Sequence, residues 1–297
     1  MQRISVVVPA YNASATIVAA LRSVLEQTRP ADEIIVVDDG SSDGTAELVE
    51  REVPSARVLR QANAGPSAAR NTAAEAATGE WLAFLDADDL WLPRKLEVQL
   101  AALETVKDVG MCSCDWVRAT EKAPPLPPPD ELPRRRIQFR DIVRLNRFQT
   151  STVLVRRDLW RQVDGFRSAI DGTEDWDFWM RVSRLTDDLH LAWPLVVYRD
   201  EGQSFSKNGR RVYDAMHRML ADLGPPGGPM AAREFRRLIA WHDVRFAYAF
   251  WRRGDRRDMR AALAHGRSLA SNATLADVAL REFLPYLWRR SRRPFGR

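Results

Sequence analysis

Trp81-Leu82-Ala83-Phe84-Leu85-Asp86-Ala87-Asp88-Asp89 is an apolar run that stops in three carboxylates within four positions. The run reads as a fully buried strand. Packing gives no reason for such an end, because crowded like charges repel and must be solvated or neutralised. A divalent cation held by hard oxygen ligands and shared with a phosphate would neutralise them. An acidic pair by itself also caps helices and decorates loops, so the stretch needs company before it means a site.

On either side of this run, strand and helix alternate. Ile4 to Pro9 is β-branched, and Ser14 is placed to cap a helix with Ile17, Leu21, Val24 and Leu25 on one face. Glu33 to Val37 is the next strand, closed by Asp38-Asp39-Gly40-Ser41-Ser42-Asp43-Gly44, with a helix from about Thr45 and Asp43 as its cap. Ala56 to Leu59 is a short strand, Pro66 opens a small-residue helix ending near Gly79, and another helix starts at Pro93. This alternation with short connections predicts a parallel sheet covered on both faces, with ligands outside the carboxyl ends of its strands. Each acidic cluster lies at such an end. Asp86 and Asp88, two apart in extended geometry, are expected to project from one face.

Beyond the strand Gly110 to Val117 the character changes. Ala123 to Pro133 is proline-rich and reads as an extended loop. A strand over Ser151 to Val155, a short helix over Asp158 to Val163 and the turn Asp164-Gly165-Phe166 follow. Thr173 is positioned to cap a helix from Glu174 to about Leu185, and a strand over Leu195 to Tyr198 precedes a helical region from about Arg210.

The chain has 297 residues, enough for a large core, and its net charge of +5 is too small to suggest a nucleic-acid partner. Its two cysteines, Cys112 and Cys114, are too few for a zinc set and are expected to be reduced thiols. The first residues enter a strand directly, and no run of about 18 apolar residues occurs. A cytoplasmic protein is expected.

Five motifs then stand in order: Val6-Val7-Val8-Pro9-Ala10-Tyr11-Asn12; Ile34 to Thr45 with Asp38-Asp39-Gly40-Ser41; Asn63-Ala64-Gly65 with Ala69-Arg70-Asn71; Phe84 to Asp89; and Thr173-Glu174-Asp175-Trp176. Over residues 4 to 208 this series resembles the family 2 glycosyltransferases, inverting enzymes of the GT-A fold that use nucleotide-activated sugars. The resemblance implies an α/β protein with a Rossmann-like, mostly parallel mixed sheet flanked by helices, followed here by a C-terminal helical extension. Residues 1–117 would form the nucleotide-sugar-binding half, 118–208 the acceptor-binding and catalytic half, and 209–297 the extension. The donor would be a nucleotide-diphosphate sugar and the acceptor a hydroxyl of a glycan, a lipid-linked or a small molecule. A cell-envelope polysaccharide pathway is the common setting of such enzymes.

The motif residues have readings of their own. Pro9, Tyr11 and Asn12 sit where the first strand opens, and the Tyr11 ring is suited to a nucleobase. Asp38 and Asp39 can accept hydrogen bonds from a base imide or ribose hydroxyls, and the resemblance gives this pair to the nucleoside. Arg70 reads as a contact to the nucleotide, against a solvated or ion-paired arginine. The resemblance also implies that Asp88 ligates Mn2+ or Mg2+ bridging the diphosphate, while Asp86 reaches the ribose or a sugar hydroxyl. Glu174 and Asp175 begin a helix, whose exposed N–H groups favour an ionised carboxylate. Similar enzymes use the aspartate of this motif as general base, a role carried to Asp175 with Glu174 in support.

The chain lacks the Gln-x-x-Arg-Trp signature and membrane helices of the family's processive synthases, which points to single additions. Gln203 to Asn208 stands where similar enzymes place a segment that closes over the donor. The tail Glu282 to Phe295 mixes aromatic rings with arginines, suiting either an anionic membrane surface or a packed helix with a basic end. Two rival readings are a nucleotide-sugar-binding relative without chemistry and a nucleotidyltransferase. The latter's usual Gly-rich loop is replaced here by Pro9-Ala10-Tyr11-Asn12.

Overall fold

The β-branched run Ile4–Ala10 forms β1 in the middle of the sheet, flanked in parallel by β2 (Glu33–Asp38) and β4 (Trp81–Phe84). β3 (Arg57–Arg60) extends the parallel set beyond β2. Ile4, Val6 and Val8 point with Ile34 and Val36 into one core, where α1 (Ile17–Leu25) adds Ile17, Leu21 and Val24. α2 (Thr45–Glu52) and α3 (Pro66–Ala76) complete the alternation. The computed structural model describes residues 2–128, 131–170, 172–199, 209–224, 228 and 230–290, with the side chains of 289 and 290 left aside.

The second half of the sheet turns antiparallel. Its elements are β5 (Leu90–Trp91), α4 (Lys95–Glu104), β6 (Val109–Arg118), β7 (Arg134–Ile137), α5 (Phe139–Ile142), β8 (Leu154–Arg156), α6 (Arg157–Gln162), α7 (Glu174–Val182) and β9 (Asp187–Tyr198). The strand order is β3-β2-β1-β4-β8-β6-β9-β5, with β7 also on β9. β8 runs antiparallel to both β4 and β6, β9 lies parallel to β6, and β5 and β7 are antiparallel to β9. Both cysteines are buried free thiols in β6.

Several local expectations shift. α1 starts at Ile17, without a cap from Ser14. Gly44, at φ 79°, occupies the N-cap position of α2, and Asp43 accepts from Thr45 N at 3.1 Å and from Ser14 N at 3.0 Å. Burial works against the Asp43 charge, but these donors and the Thr45 hydroxyl outweigh it and hold its pKa at about 2. Thr173 precedes α7 as expected, yet its hydroxyl turns back to Ile170 O at 3.3 Å and caps nothing. The strand expected from Ser151 begins instead at Leu154, after a 3-10 turn over Thr150–Thr152. Thr152 Oγ1 donates to Gln149 O there, a local bond that competes with the sheet ladder. β9 starts eight residues before Leu195. Polar Asp188 and His190 conceal that stretch in the sequence; buried Ser113 bonds to both, to Asp188 Oδ2 at 2.6 Å and to His190 Nδ1 at 2.8 Å.

Lys95, the first residue of α4, is wholly buried. Its Nζ has no hydrogen-bond partner and lies 4.1 Å from the centre of the Trp91 ring. Burial pushes its pKa down to about 8. The cost of the buried charge is therefore full below pH 8 and fades as pH rises from 8 toward the free-lysine value of 10.5. Lys95→Met is expected to stabilise the protein by about 1–3 kcal/mol at pH 7. Denaturant unfolding at pH 7 and pH 10 checks this: the advantage of the variant should shrink at the higher pH.

The chain divides into two compact units, Met1–Gly202 and Gln203–Arg297. The second is helical, as expected from about Arg210: α8 (Gly209–Ala221), α9 (Ala232–Arg252), α10 (Arg256–Leu269), α11 (Asn272–Val278), a π-turn over Ala279–Phe283 and α12 (Leu284–Arg290). The π-turn ends two residues before Pro285, whose ring removes a backbone donor. Phe283 is buried against Trp241 and Tyr248, whereas Leu284 and Trp288 are exposed. Among the described residues no helix is long and apolar enough to cross a membrane. The end of the basic tail and the Gln203 to Asn208 segment lie outside the described residues.

Candidate active site at the strand ends

Parallel pairing brings the carboxyl ends of β1, β2 and β4 side by side, with Ala10 opposite Asp38 and Val7 opposite Phe84. Tyr11-Asn12, Asp38-Asp39 and Asp86 to Asp89 therefore emerge along one rim of the sheet. Pro9 fits a central strand because the β4 pairing ends at Val7, two residues before it. Tyr11 is 55% exposed. Asn12 takes φ 48° and accepts from Ser42 N at 2.8 Å, while its own N–H donates to Ser41 Oγ at 2.9 Å. These bonds tie the loop after β1 to the loop after β2.

The two aspartates after β2 separate in role. Asp39 accepts from Gln61 Nε2 at 2.7 Å, Ala64 N at 2.9 Å and Gly65 N at 2.8 Å, and so holds the turn into α3. Asp38 receives Ser41 N on Oδ2 at 3.3 Å, but its buried Oδ1 has no partner. A buried acceptor without a donor is costly, and a ligand N–H or O–H would relieve it.

The acidic stretch after β4 is a turn, with Asp89 N donating to Asp86 O at 3.1 Å, so the extended geometry expected for Asp86 and Asp88 does not hold. Ser151 pins this turn: its Oγ receives Asp86 N at 3.0 Å and donates to Asp89 Oδ2 at 2.6 Å. Asp89 Oδ1 accepts from Arg199 N at 3.2 Å, and Arg199 Nε donates to Asp88 O. Burial, with Asp86 close by, pushes the Asp89 carboxyl up to about 8. Asp89 thus serves the turn.

Arg70, on α3, joins the rim to α7. Only 6% exposed, it pairs through Nη2 with Asp86 Oδ1 at 2.8 Å and through Nη1 with Glu174 Oε1 at 3.3 Å. Its guanidinium also lies 5.5 Å from the centre of the Phe166 ring. Phe166 belongs to an aromatic cluster with Phe84, Phe178 and Trp179 that supports α3 and α7. Asn71 clamps the same turn, exchanging two 2.8 Å bonds with the Phe166 backbone. Gly165 takes φ +60° there, and a Cβ would collide with the Asn71 side chain.

Glu174 and Asp175 open α7. Glu174 Oε2 accepts from Gly172 N at 2.6 Å, leaving its other oxygen to Arg70. Asp175 Oδ2 accepts from Asn146 Nδ2 at 2.7 Å and Oδ1 from Trp176 N at 2.6 Å. The helix start was expected to favour the ionised form. Instead burial, together with the Glu174 charge, pushes the Asp175 carboxyl up to about 7. Two backbone and side-chain donors and Arg70 work in the other direction and do not overcome this. Such a group exchanges a proton near neutrality.

Arg70 and the turn unite Asp86, Asp88, Glu174 and Asp175 in one region, while Asp38 and Tyr11 share their rim. Asn146, Ser151, Gln61 and Arg199 belong to none of the motifs, and the acidic partner of each is remote in the chain. The donor set at the turn suits a hard cation. Asp88 is half-buried there, and Mg2+ or Mn2+ is commonly held by one or two carboxylates together with substrate phosphates.

Comparison with known proteins agrees with this architecture. The glycosyl transferase family 2 model matches residues 5–163, just over half of the chain. An Escherichia coli protein, UDP-Glc:alpha-D-GlcNAc-diphosphoundecaprenol beta-1,3-glucosyltransferase WfgD, is 42% identical over 102 residues, covering 34% of this chain and 40% of that one. The chain spans less than two thirds of the curated relatives it matches, 34% in the case of an uncharacterized E. coli glycosyltransferase, YibD. Among solved structures, Staphylococcus aureus TarS 1-349 with UDP-GlcNAc superposes with a TM-score of 0.70 at 20% identity, covering 97% of this chain and 87% of that one. The mannosyltransferase PcManGT of Pyrobaculum calidifontis, in complex with GDP-Man and Mn2+, gives 0.60 at 22% identity, covering 98% and 83%. The fold is GT-A, and the chain belongs to glycosyl transferase family 2.

Proposed function

We propose that this protein moves a single sugar from a nucleotide-diphosphate sugar to an acceptor hydroxyl with inversion at C1. The observation that carries the reading is the Arg70 bridge, which ties Asp86 of the donor rim to Glu174 beside an Asp175 carboxyl of near-neutral pKa. In this account Asp38 Oδ1 takes a donor from the nucleoside, Tyr11 stacks on its base, and Asp86 meets the ribose or the sugar. Pro9 and Asn12 shape the loop beneath the base, and Asp39 holds the turn that leads into α3, on which Arg70 stands. Arg70 approaches the diphosphate once donor binding competes for Asp86.

Asp175 accepts the proton of the acceptor hydroxyl as that oxygen bonds to C1. The bond from C1 to the phosphate oxygen breaks on the opposite side, and the electron pair leaves with the nucleoside diphosphate. A divalent ion at Asp88, Mn2+ or Mg2+, would neutralise charge on the departing diphosphate. Residues 1–117 would serve the donor, 118–208 the acceptor, and 209–297 would form an appended helical part. A lipid-linked acceptor suits the exposed Leu284 and Trp288 beside the basic tail, through contact with the inner face of a membrane. WfgD is named for such an acceptor. A relative that only binds the nucleotide sugar would have no use for a carboxyl poised near neutrality.

Thermal shifts with UDP, GDP and dTDP, each with and without Mn2+, test the donor site. One nucleotide is expected to raise the melting midpoint in a Mn2+-dependent way, and Asp88→Asn should lose the Mn2+ dependence. No shift with any of the three would reject the donor site.

A further inference from the structure

The helical unit contains a second constellation, unrelated to the strand-end site. His217 on α8, Asp243 on α9 and His265 on α10 converge, with their ligand atoms all within 4.8 Å of one another. His217 Nε2 lies 2.9 Å from Asp243 Oδ1, and His265 Nδ1 lies 3.0 Å from Oδ2. We propose that these three side chains form a Zn2+ site that fastens α8, α9 and α10 together.

Four observations carry the assignment. First, the Asp243 carboxylate is fully buried, and among the described residues its ion-pair partners are the two imidazoles alone. A divalent cation held among the three side chains would compensate the buried anion directly. Second, the donor set is two imidazole nitrogens and a carboxylate oxygen, which suits zinc better than the hard cations expected at Asp88.

Third, Tyr213 on α8 donates its hydroxyl to Asp243 Oδ1 at 2.7 Å, the outer hydrogen bond that orients a ligating carboxylate. Fourth, α10 carries Gly266 beside the cluster. A Cβ at 266 would come within 3.2 Å of Asp243 Oδ2 and 2.9 Å of a Leu275 methyl carbon, so a side chain would crowd the carboxylate.

Zinc bonds of about 2.0–2.2 Å place tetrahedral ligands roughly 3.3 Å apart. That is a few tenths of an ångström beyond the two imidazole–carboxylate contacts and inside the 4.8 Å that encloses all three ligand atoms, so binding asks the imidazoles to move toward a common centre. His265 is the more exposed of the two histidines, with 40% of its side chain accessible against 17% for His217. That side admits the ion and leaves room for a water as fourth ligand. Each ligand comes from a different helix, so the ion would act as a cross-link in a unit without disulfides, among the described residues.

The test uses the full chain, free of any affinity tag, dialysed against Zn2+ and then against metal-free buffer, with metal content measured by mass spectrometry. One equivalent of zinc is expected in the wild type and in Asp88→Asn, falling to background in His265→Ala and in His217→Gln. Co2+ loaded in place of zinc should give the intense visible absorption of a tetrahedral site, lost in the same two histidine variants. Circular dichroism confirms that His265→Ala, altered at a part-exposed position, keeps its helices. Background zinc in the wild type would overturn the proposal, as would one equivalent retained in both histidine variants. Mn2+ offered alone should not be retained by these residues.

Discussion

Asp175→Asn is expected to lower the turnover of sugar transfer by roughly 10²–10⁴-fold, the usual worth of a positioned general base, with donor affinity nearly unchanged. The substitution keeps the size of the side chain, so a loss of turnover cannot be ascribed to a hole in the packing; its one carbonyl oxygen can accept from Asn146 Nδ2 or from Trp176 N, and one of these two bonds is given up. In the wild type kcat/KM should rise with pH and level off above about 7, where Asp175 loses its proton. The linkage to stability has the opposite sign. A carboxyl whose pKa rises on folding favours the folded state most below its unfolded value of 3.8, and that contribution is lost as pH climbs through about 7. The neutral amide escapes the loss, so at pH 8 Asp175→Asn should melt no lower than the wild type. A variant that is inactive yet no less stable has the signature of a site residue held at a cost to the fold. Initial rates of nucleoside diphosphate release, paired with melting curves at pH 5 and pH 8, check both halves.

Arg70→Met should cost about 3–5 kcal/mol of stability, because it strands the Asp86 and Glu174 carboxylates that now share one buried guanidinium. Arg70→Lys should recover only part of this. A point charge cannot bridge two carboxylates as a planar fork does. Arg70 also lowers the Asp175 pKa, so either variant that weakens its charge or reach should move the pH–activity profile toward higher pH. A merely structural arginine would lower stability without moving the profile. Urea unfolding and a pH series of residual activity distinguish the two cases.

The first half of the fold was legible because its strands are nearly pure β-branched and apolar runs, and each ends in a short polar connection. β1, β2 and β4 fell where the pattern put them, and the motifs at their ends are neighbours because parallel pairing leaves them no alternative. The second half was harder, for identifiable reasons. β9 begins with Asp187 and Asp188 and carries His190, residues that hydropathy assigns to the surface and that Ser113 and Asp115 make tolerable inside. β7 is Arg134-Arg135-Arg136-Ile137, with three arginines that give no strand signal.

At the site, the sequence named the acidic residues but could not divide the labour of the pair after β2. Asp38 and Asp39 are indistinguishable in the chain. Only the fold shows that three donors from Gln61, Ala64 and Gly65 converge on Asp39, while one oxygen of Asp38 is left without a partner. Asp86, Asp88 and Asp89 looked like an extended pair with a neighbour. They form a turn pinned by Ser151, in which Asp86 goes to Arg70 and Asp89 inward. The helix-start argument for Asp175 gave the wrong sign of pKa shift, because burial and an adjacent carboxylate outweigh the N–H groups of one helical turn.

The central claim is a single displacement at C1 by a hydroxyl whose proton goes to Asp175. The anomeric configuration of the first product formed from an α-linked nucleotide sugar, followed by proton NMR before mutarotation, tests it most directly. Water serves as acceptor until a better one is found. The account predicts a β-configured product, formed by the wild type and not by Asp175→Asn. An α-configured product would contradict it.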